Sequence, residues 1–161
     1  MTILPYAQLI DIKRWADSGL YDAVSRNLDQ LPPEDISIML RILDHIHAVD
    51  QIFQHHLQGV PHHFLAARSQ KMPDFEALAN SAREVDDWYA SYVGGLAAND
   101  FEEPIDFVFT SGKHARMRRG EIILHVCLHG TYHRGNAGAV LQLKGLTPSR
   151  DAITDFLEEA A

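Results

Sequence analysis

Apolar residues recur every three to four positions along most of the chain. Between Pro5 and Leu31, the residues Leu9, Ile12, Ala16, Leu20, Ala23 and Leu28 fall close to one face of an α-helix. Pro32 and Pro33 close that segment. Glu34 and Asp35 then suit the positive start of a second helix, which runs through Ile38, Ile42, Val49 and Ile52 to Gly59. From Val60 to Met72 the periodicity lapses, with Pro61 and Pro73 as punctuation, so this stretch is expected to cross one end of a bundle. A third helix carries Phe75, Leu78, Ala82, Val85, Tyr89, Val93 and Leu96 at the spacing of a bundle seam and is expected to end near Asn99.

Between Pro104 and Arg118 the pattern changes. Ile105, Phe107, Val108 and Phe109 lead into Thr110-Ser111-Gly112-Lys113, which is the chemistry of a β-hairpin. A fourth helix is expected over Glu121 to Lys144, stopped by Gly145 with Pro148 beyond it, and a short last helix over Asp151 to Glu159. The pattern predicts an all-α protein: a four-helix bundle with a small β-hairpin between helices three and four and a short C-terminal helix. No internal repeat or low-complexity tract interrupts it, so residues 1–161 are read as a single domain.

Composition narrows the function classes. The 161 residues are 46% hydrophobic and 22% charged, with no apolar run near the ~18 residues a membrane span needs. Met1 to Leu9 lacks a basic start, an apolar core and a cleavage site, and the single Cys127 has no disulfide partner, so a soluble, cytoplasmic protein without a membrane partner is expected. A net charge of −8 argues against a nucleic-acid partner, which would need clustered Lys and Arg. Ten histidines are the compositional oddity.

Three of them converge. Each helical residue advances ~100°, so His125 and His133 lie about 40° to either side of His129. Ile122, Val126, Ala137 and Val140 share the side occupied by His129 and His133, which points these imidazoles inward. Two histidines at i and i+4 can meet on one ion, the spacing used in a helical HExxH, although no glutamate follows His129 here. His45 supplies a third donor from helix two, on the face of Ile38, Ile42, Val49 and Ile52. Imidazoles crowded in one interior leave nitrogens unsatisfied unless an ion bridges them, so His45, His129 and His133 are assigned as the metal ligands.

The other candidates are placed around that site. His125 and Arg134 are read as residues beside the ion or of an adjoining pocket, Arg134 either holding a substrate carboxylate or forming a helix-bridging ion pair. His47 turns about 200° from His45 toward a neighbour or solvent, and Cys127 lies about 160° from His129, a small hydrophobe and not a ligand. His55, His56, His62 and His63 are taken as a solvated loop cluster. Gly130, Gly135 and Gly138 inside helix four are expected to permit close packing.

The chain resembles the DinB/YfiT family of metal-binding helical bundles. The resemblance rests on Arg14-Trp15-Ala16-Asp17, Asp44-His45-Ile46, Gly145-Leu146-Thr147-Pro148 and, most specifically, the run from His125 through His129-Gly130-Thr131-Tyr132-His133-Arg134-Gly135. It implies an up-down-down-up bundle with the long connection between helices two and three, and a three-histidine site for nickel, zinc or a similar ion. It also implies a homodimer. In some members it implies a thiol S-transferase or isomerase using a small thiol such as bacillithiol or mycothiol. Asn136 stands where relatives often carry glutamine.

The reading that follows is a metal-dependent enzyme that activates a low-molecular-weight thiol, its cofactor a divalent ion. Zinc or nickel fits the histidine donors, as do iron, copper and manganese. The alternative is a non-catalytic metal-binding stress-response protein.

Overall fold

The computed structural model describes residues 4–161. The leaderless reading of the N-terminus extends over Met1 to Ile3, which lie outside the described residues. Helix α1 spans Leu4–Asn27, α2 Pro33–Gln58, α3 Phe75–Gly94 and α4 Arg119–Leu143, with a short α5 at Ile153–Ala160. Strands β1 (Pro104–Val108) and β2 (His114–Arg118) form the expected antiparallel hairpin between α3 and α4, with Ile105 opposite Met117 and Phe107 opposite Ala115. No helix is long and apolar enough to cross a membrane among the described residues.

Local chemistry sets the helix ends. Pro33 opens α2, where a missing N–H does no harm, and Gly59 closes it at φ +68°, a left-handed conformation that glycine adopts without penalty. The Asp74 carboxylate accepts the Ala77 N–H at 2.9 Å to cap α3, and Glu121 reaches back to accept the Arg118 N–H at 2.7 Å at the start of α4. The third helix stops at Gly94 and Gly95, short of Asn99, because two consecutive glycines remove its propensity to continue.

Two apolar clusters fix the helix directions. One gathers Ile10, Phe53, Val93 and Ile122; the other gathers Leu20, Met39, Leu78 and Leu141. Helices α1 and α4 start in the first and finish in the second, while α2 and α3 run the opposite way, giving up-down-down-up order. Each of α1 and α2 packs between α3 and α4. Since α2 and α3 run in the same direction, the connection over residues 59–74 has to return along the bundle, not cross one end as the sequence pattern implied. It runs back beside α2: Phe64 packs on Ala48 and Ile52, Ala67 O lies at His45, and Ser69 binds Asp44.

Between the apolar clusters lies a layer of buried charge that periodicity did not predict. The Lys13 ammonium donates to Asp17 at 2.6 Å, to Asp50 at 2.7 Å and to Asp86 at 2.8 Å, joining α1, α2 and α3. Arg134 of α4 closes the ring through Asp17 at 2.9 Å and also binds Asp151 at 2.6 Å. Lys13 and Arg134 are 2% and 3% exposed. Burial opposes the charge on Lys13, but its three carboxylates outweigh that and hold its pKa well above the usual value.

Gly130 serves this layer. A methyl group there would lie 2.8 Å from Arg134 Nη1, so the glycine makes room for the buried guanidinium. Gly138 faces Pro148 Cβ at 3.4 Å, but Gly135 has nothing within 4 Å, so the expected close packing holds for the first and not for Gly135. In α2 the predicted core position Ile38 is 44% exposed, whereas Met39, Leu43, Phe53 and Leu57 are buried. The connection covers a second side of this helix and turns Ile46 through Asp50 into one uninterrupted buried run.

Two predictions follow from the layer and its glycine. Gly135→Ala is expected to stabilise the protein by about 0.5–1 kcal/mol through helix propensity, while Gly130→Ala destabilises it by about 1–3 kcal/mol, both read from denaturant unfolding. Burial raises Asp50 to about 6 and Asp86 to about 8, despite their contacts with Lys13. A carboxyl raised in the folded state contributes stability below its unfolded pKa, and this is lost as pH climbs through the folded value. In chelator-treated protein the two carboxyls therefore draw stability down between pH 4 and 8, against buried histidines such as His47 that push it up as pH rises, so Asp86→Asn is expected to gain stability relative to the parent across this range. An unchanged slope in that variant would exclude Asp86 as the titrating group.

Candidate metal centre

The three predicted ligands meet between α2 and α4. His45, His129 and His133 each present a ring nitrogen, and these atoms all lie within 4.8 Å of one another. Their ring centroids are 4.8, 4.5 and 4.5 Å apart, and all three side chains are half-buried. The i, i+4 spacing stacks His129 and His133 on one side of α4, and His45 approaches them from α2.

Hydrogen bonding sets the tautomers. A carbonyl can only accept, so the 2.7 Å contact between His45 Nδ1 and Ala67 O places the proton on Nδ1 and leaves Nε2 with a bare lone pair. That lone pair faces His129 Nε2 at 3.0 Å. His133 Nδ1 lies 3.3 Å from the Asn136 amide, which can rotate its oxygen inward to accept an Nδ1 proton and free Nε2 as a donor. Metal–nitrogen distances of about 2.0–2.1 Å set tetrahedral donors roughly 3.4 Å apart, a value inside the observed spread. The residues thus fit a divalent ion.

The protonation states agree. Burial, followed by the neighbouring His133 and His45, pushes the His129 pKa down to about 3. Burial and His45 lower that of His133. Both are neutral near pH 7, as metal ligation requires.

The remaining candidates sit elsewhere. The His125 ring is 5.6 Å from that of His129 and 4.8 Å from Phe53, exposed and outside the converging group. Arg134 spends its donors on Asp17, Asp151 and Thr131, the ion-pair alternative of its two readings. His47 turns to α3, where its Nε2 meets Ser81 Oγ at 2.7 Å, and burial drives its pKa down to about 4. Cys127 is buried among apolar residues, its thiol pushed up to about 12 by burial.

The second histidine cluster is more ordered than a solvated loop. His56 stacks on Phe107 at 4.5 Å and meets the His62 ring at 5.2 Å, which removes much of its surface from water. It brings no three donors together within the reach shown by His45, His129 and His133 among the described residues. The other converging group, Asp17, Asp50 and Asp86, already surrounds the Lys13 ammonium.

Sequence reasoning missed the parts that hold the site. Ala67 orients His45, and Asp44, 1% exposed, fixes the connection by accepting from the Ser69 N–H at 2.9 Å and hydroxyl at 2.6 Å. Asp44 beside His45 was the only local signal, since its partners lie in a segment without periodicity.

The model of the DinB family matches residues 8–160, and the chain belongs to that family. No curated protein and no solved structure matches it.

Protein prepared without a histidine tag is expected to carry close to one divalent ion per chain, and His45→Ala, His129→Ala and His133→Ala each to lose it. Asn136→Ala, which removes the partner of His133 Nδ1, is expected to weaken affinity about 10–100-fold without abolishing it. Elemental analysis and competition with a chromophoric chelator measure both. Undiminished metal in the three alanine variants would return these histidines to a packing role.

Proposed function

We propose that this DinB-family chain is a metal-dependent enzyme that activates a low-molecular-weight thiol for S-transfer or isomerisation, with one divalent ion held by His45, His129 and His133. The supporting observation is the donor set: three imidazole nitrogens on half-buried rings, with no carboxylate or thiolate among them. Such a set leaves a divalent ion its full charge and an open position, as in catalytic rather than closed structural sites. When bound, the ion supplies Lewis acidity that lowers the pKa of a thiol or a water into the neutral range.

The chain's own residues favour the thiol. Cys127 is buried with a raised pKa and cannot act as the nucleophile, so a reactive sulfur has to arrive as a ligand. Hydrolysis would call for a general base, yet Asp17, Asp50 and Asp86 are bound to Lys13, and Asp44 is bound to Ser69. Tyr132 meets the His133 ring edge-on at 5.0 Å and is 71% exposed, offering an apolar surface to the carbon skeleton of an incoming molecule. Nitrogen donors suit zinc and nickel, and also iron, copper and manganese.

Titration of a neutral thiol, thioglycerol, into cobalt-loaded protein tests this reading. A sulfur-to-metal absorption band that saturates with thiol, and that is absent in His129→Ala, is the expected result. A loaded protein that ignores thiol at millimolar concentration would move the assignment to non-catalytic metal binding.

A further inference from the structure

One sizeable cavity among the described residues lies away from the histidines. It measures ≈ 670 Å³ and lies between α1 and the C-terminal segment, with Asp11, Asp22 and Glu159 balancing Arg14, Arg26 and Arg150. A second cavity, of ≈ 580 Å³, has one of the three histidines, His45, in its wall. It is walled by α2 and the returning connection, and its lining includes His45, Ala67, Arg41, Arg68, Leu65 and Met72.

Charge on this wall is uneven. Neither Arg41 nor Arg68 has a carboxylate partner among the described residues, although most other arginines of the chain are paired. The single acid on the wall, Asp44, is engaged at both oxygens by Ser69. In a chain of net charge −8, two uncommitted guanidinium groups therefore face one cavity. Both are also tied to His45. Arg41 stands one helical turn before it on the same side of α2. Arg68 follows Ala67, whose carbonyl orients the His45 ring, and precedes Ser69, which Asp44 holds in place.

We propose that Arg41 and Arg68 form a recognition site for the carboxylate of a small acidic molecule lodged between α2 and the connection, with Leu65 and Met72 against its carbon chain. Guanidinium is suited to this by its planar, two-pronged donor geometry, and it stays charged at any physiological pH. The inference rests on the thiol reading only in naming the ligand class: the preferred thiol is an acidic one. The carboxylate site itself needs no metal.

Two thiols of similar size separate these claims: mercaptosuccinate, with two carboxylates, and neutral thioglycerol. Both are titrated into cobalt-loaded protein, and succinate into protein with and without metal, by calorimetry. The expected result is mercaptosuccinate binding about tenfold more tightly than thioglycerol. Succinate should bind with or without metal. Arg41→Ala/Arg68→Ala is expected to erase the preference and the succinate binding while keeping its metal content and its affinity for thioglycerol. Raising salt to 1 M should shrink the preference in the parent. Equal affinities for the two thiols, or a preference that survives in the double variant, overturns the proposal. Succinate binding that depends on the two arginines, with no thiol binding at all, keeps the carboxylate site and defeats the thiol reading alone.

Discussion

The buried ammonium of Lys13 is the constraint around which this bundle is arranged. A charge removed from water is tolerated only when its partners are fixed around it, and breaking one such pair typically costs about 3–5 kcal/mol. Here the partners come from α1, α2 and α3, and Asp17 passes the requirement to α4 through Arg134. Apolar clusters lie on either side of the charged layer. Apolar contacts alone would tolerate a slip of one helix by a turn, because one leucine can replace another in a hole. The charged layer does not, since a slip would press an ammonium or a carboxylate into hydrocarbon.

The same layer aims the histidines. His133 and Arg134 are adjacent in α4, about 100° apart around the helix. With Arg134 held inward by Asp17 and Asp151, the rotation of α4 is fixed, and His129 and His133 turn to α2. Gly130 completes the relation, because only a residue without a side chain leaves space for Nη1 beside His129. On the opposite wall, the connection plays the corresponding part: Asp44 fixes Ser69, and Ala67 fixes His45. His45 is thus oriented by a carbonyl, and His129 and His133 by the fixed rotation of their helix, an arrangement that holds the three candidate donors more firmly than a loop could.

What the sequence disclosed follows from the range of the interactions involved. Helices, hairpin and stop signals depend on residues a few positions apart, so their order was legible, as was the pairing of His129 with His133. His45 could be joined to them because its helix shows a recognisable inward side, even though Ile38, used to define that side, is exposed. The charged layer was not legible. Lys13 and Asp17 are four residues apart on the stripe that continues to Leu20 and Val24, but a wheel classes charge as solvent-facing, and only the distant Asp50, Asp86 and Arg134 show otherwise. The return of the connection along α2 was hidden for a related reason. It is extended and aperiodic, and its path is dictated by the parallel course of α2 and α3.

This division bears on what the family motifs encode. Asp17 of the Arg14-to-Asp17 run binds Lys13 and Arg134, Arg134 of the helix-four run binds Asp17 and Asp151, Asp44 binds Ser69, and Gly145 closes α4 at φ +72°. Of the residues that carry the resemblance, His45, His129 and His133 bring ring nitrogens together, while Asp17, Arg134 and Asp44 belong to the frame around them. Asp17, Arg134 and Asp44 are each committed to their partners and are not free to contact a further molecule. Outside the motifs, the side chains that border His45 on the α2 side include Arg41, Leu65, Arg68 and Met72, and under the proposed function these are the ones placed to select a ligand. Leu65, Gln70 and Met72 of the connection hold neither Asp44 nor His45, so these residues can change without disturbing either the charged layer or the three histidines.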